Sequence, residues 1–209
     1  YEFLKKNNFD VPNSCLPEKI YSFYKRIPFP WIIKPRDGST SKNLFKVSNL
    51  KDAENVLRKC PNPIIQEYVG TINEEFTCGT IFFNGEVKSS IALRRELKHG
   101  NTSVAYHNKY PVVENYIKNV TKVLKPYGPI NIQLRVEGNK IKIFEINPRL
   151  SGTTNIRCKF GLNEICIILN ELFELNTNTS NKSLKYGIVI RHFAEEYVSY
   201  KKINKIEKL

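Results

Sequence analysis

Carboxylate, amide and guanidinium side chains recur at every second position in Phe144-Glu145-Ile146-Asn147-Pro148-Arg149-Leu150-Ser151-Gly152-Thr153-Thr154, a stretch that reads as the end of a β-strand. Side chains of a strand alternate between its faces, so Glu145, Asn147 and Arg149 are expected on one of them. Carboxylate and amide oxygens suit a hard cation such as Mg²⁺, and the planar donor fork of arginine matches phosphate oxygens. Together these groups are the inventory of a metal-nucleotide site.

A second alternating run, Ile130-Asn131-Ile132-Gln133-Leu134-Arg135-Val136, reads as a neighbouring strand. Between the two runs, Glu137-Gly138-Asn139-Lys140 has the polar, Gly- and Asn-containing character of a hairpin turn. Closing that hairpin brings the Gln133 amide oxygen beside the Glu145 carboxylate. One or two Mg²⁺ ions could then be held by Gln133, Glu145 and Asn147, with nucleotide phosphates and water completing the octahedra. Each residue taken alone is an ordinary polar position on a half-exposed hairpin. What favours a site is their convergence where Pro148 and the Ser-Gly-Thr-Thr run end the strand.

In Ile32-Ile33-Lys34-Pro35-Arg36-Asp37-Gly38-Ser39-Thr40-Ser41-Lys42-Asn43, an apolar strand delivers a cation, Lys34, and then a loop. Gly38 and the hydroxyl residues after it allow backbone N–H groups to approach phosphate. The Gly-x4-Gly-Lys-Ser/Thr spacing of a P-loop is absent. A further strand, Ile64-Ile65-Gln66-Glu67-Tyr68-Val69-Gly70, is followed by Asn73-Glu74-Glu75-Phe76-Thr77-Cys78-Gly79-Thr80, and a third ends in Arg94 and Arg95. Alternation turns one of these arginines, Arg94 or Arg95, towards a cleft, where it can neutralise a phosphate or carboxylate, and leaves open which of the two it is.

From about Tyr1 to about Phe173 the chain resembles the ATP-grasp enzymes, and among them the ATP-grasp domains of the carbamoyl-phosphate synthase large subunit and related carboxylate-amine ligases. The resemblance implies an α+β ATP-grasp fold, two lobes with mainly antiparallel sheets around a nucleotide cleft. It implies ATP and Mg²⁺ (or Mn²⁺) as cofactors, with Gln133, Glu145 and Asn147 on the metal. Lys34 would contact the ATP phosphates, Gly38 and Ser39 would lie in the loop that folds over them, Glu67, Tyr68 and Val69 would form the adenine hinge, and Glu75 would accept from the ribose. Lys34, Arg95 and Arg149 would act in catalysis, and Thr153, Thr154 and Arg157 occupy a position from which related enzymes contact the acceptor. The expected divisions are an entry segment at 1–30, a small lobe at 31–69, a large lobe with the metal site at 70–195 and a basic tail at 196–209.

The activity so implied is ATP- and Mg²⁺-dependent ligation, in which a carboxylate is activated as an acyl phosphate and captured by an amine. The loop after Lys34 is less glycine-dense than in carbamoyl-phosphate synthase, and one short chain lacks the paired synthetase halves, which favours a stand-alone ligase. The alternatives are a kinase-like phosphotransferase of the same fold and a non-catalytic nucleotide- or RNA-binding module. The three metal-ligand candidates argue against the last.

Around these motifs, periodicity predicts a helix over 48–60 and another over 112–124, a hairpin of strands 76–83 and 87–93, a helix over 161–174, a polar loop at 176–182 and a strand at 186–193. In the helix at 161–174, Leu162, Ile165, Ile168, Leu169 and Leu172 are expected to face the core. At 209 residues, 41% hydrophobic and 25% charged, the chain has an ordinary globular composition. No apolar run reaches the roughly 18 residues of a membrane span, and no signal-peptide pattern opens the chain, so a cytoplasmic protein without membrane partners is expected. The net charge of +13 is spread along the chain and no nucleic-acid-binding motif accompanies it, so no specific nucleic-acid partner is expected. The five scattered cysteines and three histidines show neither disulfide nor zinc spacing. The partners implied are small-molecule carboxylate and amine substrates, with a homodimer left open. Methionine is absent, so the chain as given reads as a fragment that lacks an upstream α/β domain.

Overall fold

Alternating apolar residues build two antiparallel sheets, and the computed structural model describes residues 1–37, 43–177 and 183–192 of them and their connections. The smaller sheet contains β1 (Ser14–Cys15), β2 (Trp31–Pro35), β3 (Phe45–Val47) and β4 (Pro63–Glu67), in the order β1-β4-β2-β3. Trp31, Ile33 and Ile65 are fully buried against α2 (Ile20–Tyr24) and α3 (Leu50–Leu57), where Ile20, Phe23 and Ala53 complete the core. The helix predicted over 48–60 is thus shorter. It starts at Asn49, whose side-chain oxygen accepts from the Asp52 N–H at 2.9 Å and so satisfies one of the orphan donors of the first turn. The other parity of the sheet presents Lys34, Ile64 and Gln66 to a cleft.

The larger sheet runs β10-β7-β6-β5-β8-β9, with β5 (Glu75–Phe83), β6 (Glu86–Lys98), β7 (Asn101–His107), β8 (Gly128–Glu137), β9 (Lys140–Asn147) and β10 (Gly187–Ile190). On one face α4 (Pro111–Leu124) buries Val113, Ile117 and Val120 against Phe76, Cys78, Ile132, Leu134, Ile141 and Ile143, and Leu4 of α1 (Glu2–Lys6) joins them. The other face is divided. At one end Ile81, Phe83, Ile91 and Leu93 pack under Ile156, Phe160 and Leu162, which belong to α5 (Thr154–Lys159) and the turn before α6 (Glu164–Phe173). At the other end the same parity carries Glu75, Arg95, Gln133 and Arg135, all polar, and this end faces the cleft. A sheet covered on half of one face is what leaves room for a site.

The helix predicted over 161–174 differs from the structure in a way that matters below. The helix forms as α6, three residues shorter at its start, and Ile165, Leu169 and Leu172 are exposed at 46%, 42% and 48%. Of the five residues expected inward, Leu162 is buried and Ile168 packs against the core. The reason is Glu164, 1% exposed, whose carboxylate claims the inward position at the start of α6 and turns the apolar stripe outward. The strand at 186–193 appears as β10, while Phe193 and the basic tail at 196–209 lie outside the described residues. Among the described residues no helix is long and apolar enough to cross a membrane.

Candidate nucleotide and metal site

The two sheets meet at a cleft of about 860 Å³, whose walls include Lys34 and Gln66 from the smaller sheet, Arg36 just after β2, and Phe144, Glu145 and Asn147 from the larger sheet. Lys34 crosses it: its Nζ donates to the Phe144 carbonyl at 3.2 Å and lies 5.8 Å from the Phe144 ring. Burial lowers the pKa of Lys34, and the neighbouring Glu145 carboxylate opposes that shift without cancelling it. The sign is therefore clear. Between its lowered value and the ordinary 10.5, folded Lys34 binds fewer protons than the unfolded chain, and a triphosphate bound beside it restores the proton. Nucleotide affinity should accordingly decline as pH rises through a value below 10.5, and binding in that range should take up protons, read as a heat that depends on the buffer. A Lys34→Met variant that kept the same proton uptake would exclude Lys34 as its source.

The hairpin of β8 and β9 forms, and Gln133 stands opposite Glu145 and Asn131 opposite Asn147, although the turn alone would set Gln133 opposite Phe144. A bulge between Gln133 and Leu134 on the β8 side, which leaves Phe144 as the extra residue on β9, puts Lys142 and Glu145 on one face although they are an odd number of positions apart. Glu145 Oε1 accepts from Gln133 Nε2 at 3.1 Å and from Asn147 Nδ2 at 2.6 Å, so both amides converge on one carboxylate oxygen. The amides present nitrogen to it. The Gln133 oxygen accepts instead from Arg95 Nη2 at 2.7 Å. Among the described residues no three His, Cys, Asp or Glu side chains cluster, so a cation here would rely on Glu145, on the amide oxygens after rotation, and on ligand phosphates. That oxygen-rich donor set fits Mg²⁺. Arg149 does not continue the alternation, because Pro148 has no N–H to extend the ladder and β9 ends at Asn147. Exposed, its Nη1 donates to the Leu150 carbonyl at 3.0 Å.

Arg95 and Arg94 diverge as expected. Arg95 turns to the cleft face, where it binds Glu75 Oε1 through Nε at 3.0 Å and Nη2 at 2.7 Å, while Arg94 lies over the Tyr106 ring on the opposite side. Glu75 is 3% exposed and its second oxygen accepts from Arg135 Nε and Nη2 at 3.0 and 2.7 Å. Both carboxylate oxygens are thus taken by guanidinium groups, and a diol would have to compete with them. At the segment 67–69, Glu67 accepts from Lys142 at 2.6 Å and Asn13 at 2.7 Å, the Tyr68 N–H donates to the Pro30 carbonyl, and the Val69 carbonyl accepts from Arg135 at 3.0 Å. Burial would raise the Glu67 carboxyl, but those two side-chain donors outweigh it and hold it below its ordinary value. Gly38 and Ser39 lie outside the described residues.

Residues that the sequence reading passed over complete this end of the cleft. Lys46 sits 3.9 Å from the Tyr68 ring centroid, and the Arg135 guanidinium lies 4.6 Å from that ring and 6.0 Å from Phe144. Two cations and two aromatic rings stacked at a cleft edge make a surface that a planar base can enter. The signal for Arg135 was present, since it stands two residues from Gln133 on the same strand face; Lys46 and Phe144 come from tertiary approach and the bulge.

Arg157 and Thr153 depart from the expectation that they reach an acceptor. Arg157 is fully buried, with Nη1 on Glu164 Oε1 at 2.9 Å and Nη2 on Asn131 Oδ1 and, at 3.3 Å, on Thr77 Oγ1. Among the described residues its Nε has no partner. Thr153 is 3% exposed, and the Thr154 hydroxyl donates to Glu164 Oε2 at 2.6 Å. Glycine is required opposite this pair: a Cβ at position 79 would lie 2.4 Å from Arg157 Nη1 and 2.6 Å from Glu164 Oε1. Gly79→Ala should destabilise the protein by about 1–3 kcal/mol through overpacking, measurable as a lower urea midpoint with unchanged slope.

A family model described as "ATP-grasp in the biosynthetic pathway with Ter operon" matches residues 59–196. D-alanine--D-alanine ligase of Fusobacterium nucleatum subsp. nucleatum is 37% identical over 82 residues, 39% of this chain and 26% of that one. Among solved structures, the ADP complex of N5-carboxyaminoimidazole ribonucleotide synthetase (purK) has a TM-score of 0.74 at 14% identity, covering 90% of this chain and 54% of its own. The Staphylococcus aureus N5-carboxyaminoimidazole synthetase with ADP gives 0.73 at 15% identity, with the same coverage. L-amino acid ligase from Bacillus licheniformis gives 0.62 at 16%, over 82% of this chain and 45% of its own. The chain therefore spans about half the length of these structures and about a quarter of the ligase.

Proposed function

The chain belongs to the ATP-grasp family, and from that premise we propose that it forms the nucleotide- and metal-binding part of a ligase that activates a carboxylate with ATP for capture by an amine. The observation that carries this reading is Lys34 of one sheet hydrogen-bonded beside Glu145 of the other, which sets a cation against a carboxylate-amide cluster across a single cleft. A substrate carboxylate oxygen would attack the γ-phosphorus of ATP, the bond to the β,γ-bridging oxygen would break, and ADP would leave. The amine nitrogen would then attack the acyl carbon and lose its proton as phosphate departs.

In this reading the protein positions and neutralises charge, and no side-chain nucleophile is needed. Lys34, Arg95 and Arg149 face phosphate oxygens, the last two after leaving their present partners. Glu145 and Asn147, with Gln133 once its amide rotates, would hold Mg²⁺, which supplies positive charge against the phosphates. Tyr68, Val69, Lys46 and Phe144 border the base, and Glu75 reaches the ribose only if Arg95 or Arg135 yields. The set Gln133, Glu145, Asn147 and Arg149 supports likening the site to that of the carbamoyl-phosphate synthase large subunit among ATP-grasp ligases. ATP as substrate suits a cytoplasmic setting.

Calorimetric titration with Mg-ATP and, separately, with a nonspecific RNA at physiological salt tests the proposal. Magnesium-dependent ATP binding that disappears in the Glu145→Gln, Asn147→Ala double variant is the expected result. Salt-sensitive RNA binding without ATP binding would replace it with a basic binding module.

A further inference from the structure

The buried pair under the cleft is hard to explain as a source of stability. Moving two charges out of water costs several kcal/mol per ion, and apolar residues of similar volume usually serve as well or better. Here Arg157 Nε also has no partner among the described residues, and a Cβ at position 79 would collide with the pair. What the pair touches gives the reason. Arg157 grips the Asn131 oxygen, and Asn131 is the register partner of Asn147 at the end of β9. Glu164, on its other side, accepts from Thr154, whose Oγ1 accepts in turn from the Ser151 N–H at 3.3 Å, while Ser151 Oγ pairs with Thr153 Oγ1 at 2.7 Å. The segment from Pro148 to Thr154, which carries Arg149, is therefore clipped to the same ion pair that braces Asn147.

We propose that Arg157 and Glu164 are positioning residues, an internal strut that sets the placement of Asn147 and Arg149 through Asn131 and Thr154. This rests on the reading above that Glu145 and Asn147 hold the metal. Neither strut residue touches the cleft; each acts through a neighbour. Ligand-supporting groups of this kind typically change metal affinity by about 10–100-fold when removed.

The test uses the full 209-residue chain, Mn²⁺ and a non-hydrolysable ATP analogue, with bound Mn²⁺ counted from the loss of the free-ion paramagnetic resonance signal. Thr154→Val removes the link to the loop and leaves the ion pair in place. It should weaken Mn²⁺ binding about tenfold with little change in melting temperature, and Thr154→Ser should restore it to within about twofold. A second variant, Arg157→Met with Glu164→Leu, replaces the strut by apolar side chains; it should fold and show the same loss of Mn²⁺ affinity. Wild-type binding that both variants keep within about twofold overturns the strut and leaves the metal site standing. No analogue-dependent Mn²⁺ binding by the wild type overturns the metal-site reading, and the strut with it.

Discussion

Glu145→Gln is expected to lower Mg²⁺-dependent turnover of the intact protein, read as ADP release with its carboxylate and amine substrates, on the order of 10³-fold. The change is nearly isosteric and removes one negative charge from the place where two amides and Lys34 converge. With Glu145 gone the remaining amide oxygens bring no negative charge to the cation, and the charge opposing the burial of Lys34 goes with it. Glu145 is exposed, so the melting temperature should hold within a degree or two of wild type, about the shift that a surface substitution of ±0.5 kcal/mol produces. Unchanged turnover in a folded variant would exclude Glu145 from the chemistry.

The second large effect concerns stability. Glu164→Leu alone strands the Arg157 guanidinium, fully buried, with Asn131 and Thr77 oxygens as its remaining partners. An uncompensated interior charge costs about 3–5 kcal/mol, which for a chain of this size corresponds to roughly 6–20 °C in melting temperature. Replacing both residues with apolar ones should recover most of that loss, because the penalty comes from the unpaired charge and not from a missing attraction. Urea denaturation of the single and double variants checks both statements. A single variant within about 1 kcal/mol of wild type would mean that water reaches the Arg157 guanidinium when Glu164 is gone.

The contrast between Glu145 and Glu164 shows how much was legible in the residues. Glu145 announces itself because strand alternation is local: the period of two puts Glu145 and Asn147 on one face, and the turn at 137–140 sets the hairpin, although that turn alone would place Gln133 opposite Phe144 and only the bulge brings it opposite Glu145. The divergence of Arg94 and Arg95 is legible for the same reason. Glu164 carries no such local signal, and the helical spacing of its apolar neighbours assigned Ile165, Leu169 and Leu172 to a core they do not enter. Helical periodicity gives a stripe and not a rotation. The rotation follows from the pairing of Glu164 with a cation on another helix, Arg157, which helical spacing within 161–174 does not reveal.

The sequence by itself thus determined the β8–β9 hairpin, the alternation along each strand and the identities of the candidate carboxylate, amides and cation, since each of these is read within one strand or turn, while the α+β plan came from the family resemblance and the pairing of Gln133 with Glu145 from a bulge. Tertiary structure decided which partners those groups have. It brought Lys34 to the Phe144 carbonyl from 110 residues away, closed Arg95 and Arg135 on Glu75, turned the Gln133 oxygen to Arg95, and sank Arg157 beneath the site. Hydrogen bonds and burial between distant segments follow from how two sheets and their helices pack, and a local pattern carries no information about that packing.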